Sequence, residues 1–404
     1  MIDLVTEVAP PLGLSRYAAL FRAPHVRRLV LSGLLARLPM GMIGLALLLL
    51  VRDGGGSYAA AGGVSAAYFV ATAAGAPIAG RLVDRRGQTR ILLPRAVIFP
   101  ALLAGVCVLA VLDAPLVLIG VSAAAAGALM PPVGASLRSL WPRLFADPGL
   151  RSTAYALEAS LQEIIFVIGP LLVALLAAAV SPVLALVVAA AAGGVGTTLI
   201  ALSEPVLAWR PDERRASSIL GALESRGVLT IVGLSVCLGL GFGATEVGFP
   251  AFAEDYGGPE LGSIPIALFA AGSLVGGLLA GARVTAAPVR LLRAASVVLV
   301  AGMALPLLGW SLPSMAVLAF LAGLPIAPVV MAAYGLIDAV AARGTAAEAF
   351  AWISTAVFVG FSVGTAVGGV LIDAVGVRAS FGLGTAAVAA GALIVAAGPG
   401  LESG

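Results

Sequence analysis

The sequence predicts an all-α membrane protein in which twelve transmembrane helices form two pseudo-symmetric six-helix bundles. Composition, the number of long apolar runs and an internal repeat support this prediction. Of the 404 residues, 61% are hydrophobic and 11% are charged, and the mean hydropathy is +1.11. A soluble domain carries roughly 25% charged residues. Because this chain cannot cover itself with a polar surface, we expect a lipid bilayer to surround it.

The apolar runs define the predicted helices, because a transmembrane helix needs about 20 such residues. Twelve runs lie at 27–51, 58–80, 91–112, 114–140, 152–177, 182–203, 227–252, 262–283, 290–310, 313–338, 345–372 and 378–398. The corresponding division is a cytoplasmic N-terminal segment (1–26), an N-terminal bundle (27–203), a cytoplasmic linker (204–226), a C-terminal bundle (227–398) and a tail (399–404).

Arginine positions predict the orientation of the chain, because cytoplasmic loops carry the excess of basic residues. If the N-terminus is cytoplasmic, the outside loops hold only Arg52 and Arg378. The inside segments then hold Arg16, Arg22, Arg27, Arg28, Arg81, Arg85, Arg86, Arg90, Arg143, Arg151, Arg210, Arg214, Arg215, Arg226, Arg283, Arg290 and Arg343. We therefore expect a multi-pass protein of the bacterial cytoplasmic membrane with both termini in the cytoplasm. The basic balance of +3 is thus topological and does not indicate nucleic acid.

The two halves resemble each other in sequence. The segment A-Y-A-L-E-A-S from Ala154 parallels A-F-A-W-I-S-T from Ala349, 195 residues later. The segment ending at Gly80, A-G-A-P-I-A-G, parallels V-G-G-L-L-A-G ending at Gly281. Repeated six-helix halves are a transporter architecture in which the substrate binds near the membrane midplane between the halves.

A short charged loop joins the second and third predicted helices and reads G-R-L-V-D-R-R-G-Q-T-R-I-L from Gly80. It resembles the loop between helices 2 and 3 of major facilitator superfamily transporters, whose pattern is Gly-x-Leu-x-Asp-Arg-x-Gly followed by basic residues. Thr89 stands where a basic residue is usual, and Arg90 follows it. The residues that match, together with Arg90, are Gly80, Leu82, Asp84, Arg85 and Gly87.

The resemblance implies a fold of two rocking halves and a role for this loop as a conformational latch on the cytoplasmic side. A carboxylate is stabilised near a helix N-terminus by the helix dipole. Helix 11 is predicted to begin near Gly344 and could supply that N-terminus to Asp84.

A second resemblance concerns helix 5, where Gly169 and Pro170 match the core of a motif found in antiporters of the superfamily. The further glycines of that motif are missing here, whereas helix 11 carries a glycine stripe at Gly360, Gly364, Gly368 and Gly369. Such stripes first of all indicate close helix packing. The Arg-x-x-Gln-Gly pattern of drug antiporters has no counterpart in 122–127, and Arg37 stands where their helix 1 acid would be.

Charged residues within the predicted helices are candidates for the functional site, because a charge at the centre of a bilayer costs roughly 2.5–3.5 kcal/mol on insertion scales. They are Arg37, Glu158, Glu163 and Glu246, and Gln162 lies beside Glu163. The alternative role is an internal salt bridge that only orients helices. By depth, we expect Arg37 to pair with Glu163, and Glu158 to pair with Arg138.

Glu246 lies in G-F-G-A-T-E-V-G-F-P, and Phe242 and Phe249 fall on much the same side of the helix. A carboxylate beside aromatic rings suits an organic cation or a proton. The alternative is a carboxylate that extends to the outer membrane surface. A membrane-buried carboxylate that changes protonation between inward and outward exposure can couple transport to protons. Glu163 is the first candidate for this role, and Glu246 is the second.

These observations predict a secondary active transporter, with proton-coupled efflux of a small amphipathic organic compound, such as a drug or secondary metabolite, as the favoured function. One alternative is a proton-coupled importer of a nutrient or organic anion, with Arg37 as the anion ligand. Another is a non-transporting membrane sensor or scaffold. A nucleotide-binding P-loop is impossible without lysine, and one His and two Cys in the sequence exclude a metal cluster. We therefore expect no enzyme activity, no cofactor, no metal and a monomer.

Overall fold

The computed structural model describes residues 14–210, 221–281, 288–341, 346–398 and 401. These residues form helices, and twelve helical segments are long and apolar enough to cross a membrane. The sixteen α-helices in this part of the chain are α1 (Leu14–Arg22), α2 (Val26–Asp53), α3 (Tyr58–Arg86), α4 (Gln88–Val111), α5 (Leu116–Ala128), α6 (Val133–Leu144), α7 (Pro148–Ala179), α8 (Pro182–Ala201), α9 (Glu204–Leu207), α10 (Arg226–Glu254), α11 (Ser263–Gly281), α12 (Pro288–Ala304), α13 (Leu312–Gly323), α14 (Ile326–Val340), α15 (Ala346–Val375) and α16 (Val377–Ala397). Twelve spans in two six-helix bundles confirm the predicted fold class.

Two predicted spans are broken rather than continuous. Span 4 consists of α5 and α6, which are separated at residues 129–132, and span 10 consists of α13 and α14. Pro131 and Pro132 have no backbone N–H and therefore cannot continue the first helix; Pro325 interrupts the second. Leu129 follows the end of α5 and Leu324 follows the end of α13. These two positions are 195 residues apart, the same spacing that relates the two halves of the sequence. The predictions of one helix over 114–140 and one over 313–338 are therefore wrong in this respect.

Smaller differences from the prediction lie at helix ends. Helix α7 begins at Pro148 rather than near 152, and the ninth span ends in a 3-10 turn, Leu305–Leu308. The predicted linker contains α9 and a second 3-10 turn, Gly221–Glu224, and its central residues 211–220 lie outside the described part of the chain. A further helix, α1, precedes the first span and buries Leu20 in a cluster with Val26 and Trp141.

The two bundles meet mainly along α3 with α15 and along α7 with α11. We call the membrane side on which α2 begins the proximal face, and the side on which α2 ends the distal face. Glycines bring the helices close together inside each bundle. Gly360 and Gly364 of α15 lie against the carbonyl groups of Val236 and Leu240 in α10, where a β-carbon would collide with the backbone. Such small-residue contacts replace the hydrophobic driving force that is missing between helices in lipid.

Candidate functional site

Arg37 and Glu158 form a buried ion pair inside the first bundle. Nη2 of Arg37 donates to Oε1 of Glu158, and both residues are more than nine-tenths buried. The predicted Arg37–Glu163 and Glu158–Arg138 pairs are therefore wrong. The reason is the earlier start of α7: Glu158 lies ten residues after Pro148, and Arg37 lies eleven residues after Val26. At 1.5 Å per residue the two side chains are at nearly the same depth.

Glu163 does not face Arg37, as predicted, but faces the second bundle. Its carboxylate faces the Ser273 hydroxyl of α11. Five residues along a helix rotate a side chain by about 140° relative to its starting direction. Glu158 therefore points into its own bundle while Glu163 points across the interface between α7 and α11. The neighbouring Gln162 lies 4.0 Å from the sulfur of Met40, on the side of α7 that faces α2.

Glu246 lies at the interface of the two bundles, where α10 meets the first span. Its Oε1 atom contacts Gly44, so closely that a β-carbon on Gly44 would collide with it. A small cavity beside it has room for about one water molecule. The cavity is lined by Gly44, Leu45, Ser65, Phe69, Glu246 and Thr365, among others. The alternative of a carboxylate extending to the membrane surface is therefore wrong.

The charge balance around Glu246 differs from that around Glu158. Among the described residues, no ion pair or hydrogen bond joins Glu246 to a cation. Phe69 of α3 lines the same cavity and packs against Phe361 of α15 with ring centroids 4.6 Å apart. The predicted neighbours Phe242 and Phe249 instead pack against Phe269 of α11.

The charged loop forms a tight turn on the proximal face. Helix α3 ends at Arg86, α4 begins at Gln88, and Gly87 between them adopts φ 92°, a backbone conformation that favours glycine. Arg85 and Arg90 are exposed, whereas Gln88 donates from its side chain to the Ser136 carbonyl at 3.1 Å. The side chain of Asp84, as well as Gly344, lies outside the described part of the structure, so the predicted contact with helix 11 stays a prediction.

The glycines and the proline predicted in helices 5 and 11 lie in packed contacts. Gly169 of α7 touches the backbone of Gly41 in α2, and Pro170 beside it is buried. Gly368 of α15 lies against the Ser380 hydroxyl of α16, and Gly369 lies against the carbonyl of Tyr58 in α3.

Sequence reasoning missed Arg95 as an intramembrane charge. Arg95 of α4 is 92% buried (8% exposed), and its Nη1 donates to the Met130 carbonyl at 2.8 Å. That carbonyl lies in the break of span 4, just beyond the C-terminal end of α5, where a cation is favourable. Because an unpaired backbone carbonyl is costly in lipid, Arg95 stabilises the break. Two prolines after Met130 were the available signal for it.

Sequence reasoning also missed a charged cluster on the distal face that joins the two bundles. Arg52 at the end of α2 forms an ion pair with Glu254 at the end of α10. The Tyr58 hydroxyl donates to the other oxygen of Glu254 at 2.8 Å, and the Arg52 guanidinium lies 4.3 Å from the Tyr58 ring centre. Arg52 stood out in the sequence as one of two basic residues in the outside loops.

Twelve spans in two repeated bundles, with half-buried carboxylates between them, define a membrane transporter of the two-bundle class. The family model of the Major Facilitator Superfamily matches residues 29–313, which is more than half of the chain. The protein therefore belongs to the Major Facilitator Superfamily, as the charged loop predicted.

Solved structures of this superfamily share the fold at low sequence identity. A nucleoside transporter, NupG, matches with a TM-score of 0.72 and 13% identity, over 93% of this chain and 99% of that chain. The human organic anion transporter MFSD10 (TETRAN) matches with a TM-score of 0.62 and 17% identity, over 91% of this chain and 99% of that chain. Among curated protein sequences, none matches this chain.

Proposed function

We propose that this protein is a secondary active transporter that exports a small amphipathic organic compound in exchange for protons. The proposal rests on one observation above all: Glu246 lies half-buried between the two bundles without a cationic partner among the described residues. An isolated ionised carboxylate is costly to enclose away from water. We infer that the distal face closes over Glu246 in its neutral, protonated form.

This arrangement links the protonation of Glu246 to movement of the bundles. Gly44 and Phe69 of the first bundle cover Glu246, which belongs to the second bundle. When the bundles separate at the distal face, these covering residues withdraw and water reaches the carboxylate. Proton binding from the distal side then favours closure, and proton release towards the proximal side completes the cycle. Alternating access by rocking of two such bundles around a central site is the general scheme for repeated transporters.

The balance of buried charge favours a cationic or neutral substrate over an anion. Arg37 is neutralised by Glu158 within the first bundle. Glu163, in contrast, meets the hydroxyl of Ser273 on the facing bundle. Glu163 and Glu246 thus face the interface between the bundles, whereas the buried guanidinium of Arg95 is directed to the Met130 carbonyl in the break of span 4. This disfavours the alternative of an organic-anion importer with Arg37 as its ligand, which remains an outcome of the test below.

We further propose that the proximal face is cytoplasmic and that the membrane is the bacterial cytoplasmic membrane. The exposed arginines of the described proximal loops, including Arg85, Arg86 and Arg90, support this orientation. The distal face holds Arg52 in an ion pair and Arg378 at the start of α16. With this orientation, protons enter from the distal side, down their gradient, while the substrate leaves.

The test uses purified protein in liposomes with an imposed pH gradient and a pH dye in the lumen. Lipophilic cations, antibiotics, nucleosides, sugars and organic anions are added in turn, and empty liposomes serve as the control. We expect a lipophilic cation to drive protons in the opposite direction to its own movement. Protons that move together with an organic anion would support the importer instead. No proton movement with any compound would contradict proton coupling.

A further inference from the structure

The two helices that join the bundles end in the same sequence pattern. Helix α3 ends in G-R-L-V-D-R-R-G (80–87), and α15 ends in G-V-L-I-D-A-V-G (369–376). Both patterns read Gly-x-Leu-x-Asp-x-x-Gly, and both closing glycines adopt positive φ, 92° at Gly87 and 115° at Gly376. Because α3 and α15 cross the membrane in opposite directions, the two copies lie on opposite faces.

The distal copy binds the start of α3 across the interface between the bundles. Oδ1 of Asp373 accepts a hydrogen bond from the Tyr58 backbone N–H at 3.2 Å, and Oδ2 accepts one from the Ala59 N–H at 2.6 Å. These are the first two residues of α3, whose N–H groups have no partner within the helix. The carboxylate therefore caps a helix of the other bundle and interacts favourably with its dipole.

Close backbone packing surrounds this cap. Gly369, the first residue of the distal copy, lies against the Tyr58 carbonyl, and Gly62 of α3 lies against the Thr365 carbonyl of α15. A β-carbon at either glycine would collide with the facing backbone. The glycines thus let the two helices approach closely enough for the carboxylate to reach the N–H groups of α3.

The Arg52–Glu254 ion pair lies beside the cap and shares Tyr58 with it. Tyr58 donates its backbone N–H to Asp373 and its hydroxyl to Glu254. Arg52 also donates to the Gly56 carbonyl at 2.9 Å, which orders the turn that precedes α3. One short segment of the first bundle is therefore held by two carboxylates of the second bundle.

We propose that Asp373, with its cap on α3, is a distal latch that holds the bundles closed on the distal face. We also infer that it is the counterpart of the Asp84 loop at the opposite end of the same helix pair. The contacts of the distal latch form when the distal face closes, and the contacts of the Asp84 loop form when the proximal face closes. This inference rests on the alternating access proposed above, but it requires neither proton coupling nor a particular substrate.

The expected effect of losing the latch is moderate. A hydrogen bond to a charged group is stronger than one between neutral groups, but Asp373 is exposed to water at the distal face, which weakens its contribution. We expect Asp373→Ala to raise the population of the distal-open form by roughly three- to tenfold. Asp373→Asn keeps an oxygen acceptor and should have a smaller effect, because Asn is also a good capping residue.

The experiment measures cysteine accessibility in purified protein in lipid nanodiscs, without substrate or pH gradient. The native cysteines are replaced by Cys107→Ala and Cys237→Ala. A Ser65→Cys reporter lies in the cavity beside Glu246, where Ser65 is 2% exposed. A Tyr334→Cys reporter lies on the proximal side, near the end of α14, where Tyr334 is 42% exposed. The rate at which a water-soluble maleimide labels each cysteine reports how accessible that side of the protein is to water.

The latch predicts opposite changes at the two reporters. Asp373→Ala should raise labelling of Ser65→Cys and lower labelling of Tyr334→Cys, with Asp373→Asn intermediate and Asp84→Ala reversing both signs. Asp53→Ala, which removes an exposed acid from the same face, is the matched control and should change neither. Unchanged rates in both Asp373 variants would overturn the latch. Rates that rise together at both reporters would also overturn it, because general loosening of the fold would explain them.

Discussion

Two carboxylates inside the membrane, the buried Glu158 and the half-buried Glu246, differ in what surrounds them. Glu158 pairs with Arg37 inside one bundle, and the pair keeps its place as long as that bundle stays intact. Glu246 is covered by residues of the other bundle and has no cationic partner among the described residues. A neutralised pair within one rigid body has no reason to change during transport. A lone carboxylate between two moving bodies changes its environment each time they separate.

The largest expected effect comes from breaking the pair within the bundle. Arg37→Met leaves the Glu158 carboxylate buried without its cation, so the variant should lose about 3–5 kcal/mol of stability. We expect low yield and a markedly lower melting temperature in detergent, measured by fluorescence-detected size exclusion after heating. The double variant Arg37→Met, Glu158→Leu removes both charges and should recover most of that loss. A single variant as stable as the parent would show that the pair is dispensable for folding.

Removing the lone carboxylate should act on transport rather than on folding. Glu246→Gln keeps the shape of the side chain but cannot release a proton, so accumulation of substrate driven by a pH gradient should disappear. The melting temperature should stay within a few degrees of the parent, because no ion pair is broken. Glu224→Gln changes an exposed acid and is the matched control. Strong destabilisation of Glu246→Gln with normal uphill transport would reverse the two roles assigned to the carboxylates.

Glu163 tests whether one carboxylate or two act between the bundles. Glu163→Gln keeps a polar side chain opposite Ser273 while removing the negative charge that we propose attracts a cationic substrate. We expect gradient-driven transport of a cation to fall about tenfold, which corresponds to a loss of roughly 1.4 kcal/mol in the free energy of substrate binding. Folding should stay intact. The measurement compares cationic and neutral substrates in the same liposomes. An equal loss for both substrates would indicate proton coupling, and full transport of both would make Glu163 structural.

The smallest expected effect concerns the proximal loop, which lies at the end of the interface farthest from Glu246. Asp84→Asn should slow turnover a few-fold while leaving substrate affinity nearly unchanged, because a latch affects the exchange between states rather than binding. Substrate binding by calorimetry and turnover in liposomes separate the two quantities. Weaker binding with unchanged turnover would contradict a latch at Asp84.

Hydropathy and repeats were sufficient to predict twelve spans in two bundles, because the bilayer allows few alternatives to long apolar helices. The pairing of Arg37 was not predictable to the same degree. The predicted start of the fifth helix was four residues late, and this error corresponds to about 6 Å of depth at 1.5 Å per residue. An error of that size explains why Glu163 was predicted as the partner of Arg37 instead of Glu158.

Contacts between the bundles were beyond sequence reasoning for a different reason. Arg52 and Glu254 are 202 residues apart, and Asp373 is more than 300 residues from the helix start that it caps. Neither the hydropathy pattern nor the repeat specifies which helix ends meet across the interface. The second copy of the loop pattern at 369–376 was visible in the sequence, but its contact with α3 appears only when α3 and α15 are seen side by side.

The most direct test of the role of Glu246 compares exchange with uphill transport in the Glu246→Gln variant. Radiolabelled substrate is exchanged for unlabelled substrate across liposomes without a pH gradient, and accumulation is then measured with one. We predict exchange at a rate close to that of the parent, because the bundles still move, and no accumulation when the gradient is imposed. Accumulation equal to that of the parent would contradict the account, since protons would then couple to transport without Glu246.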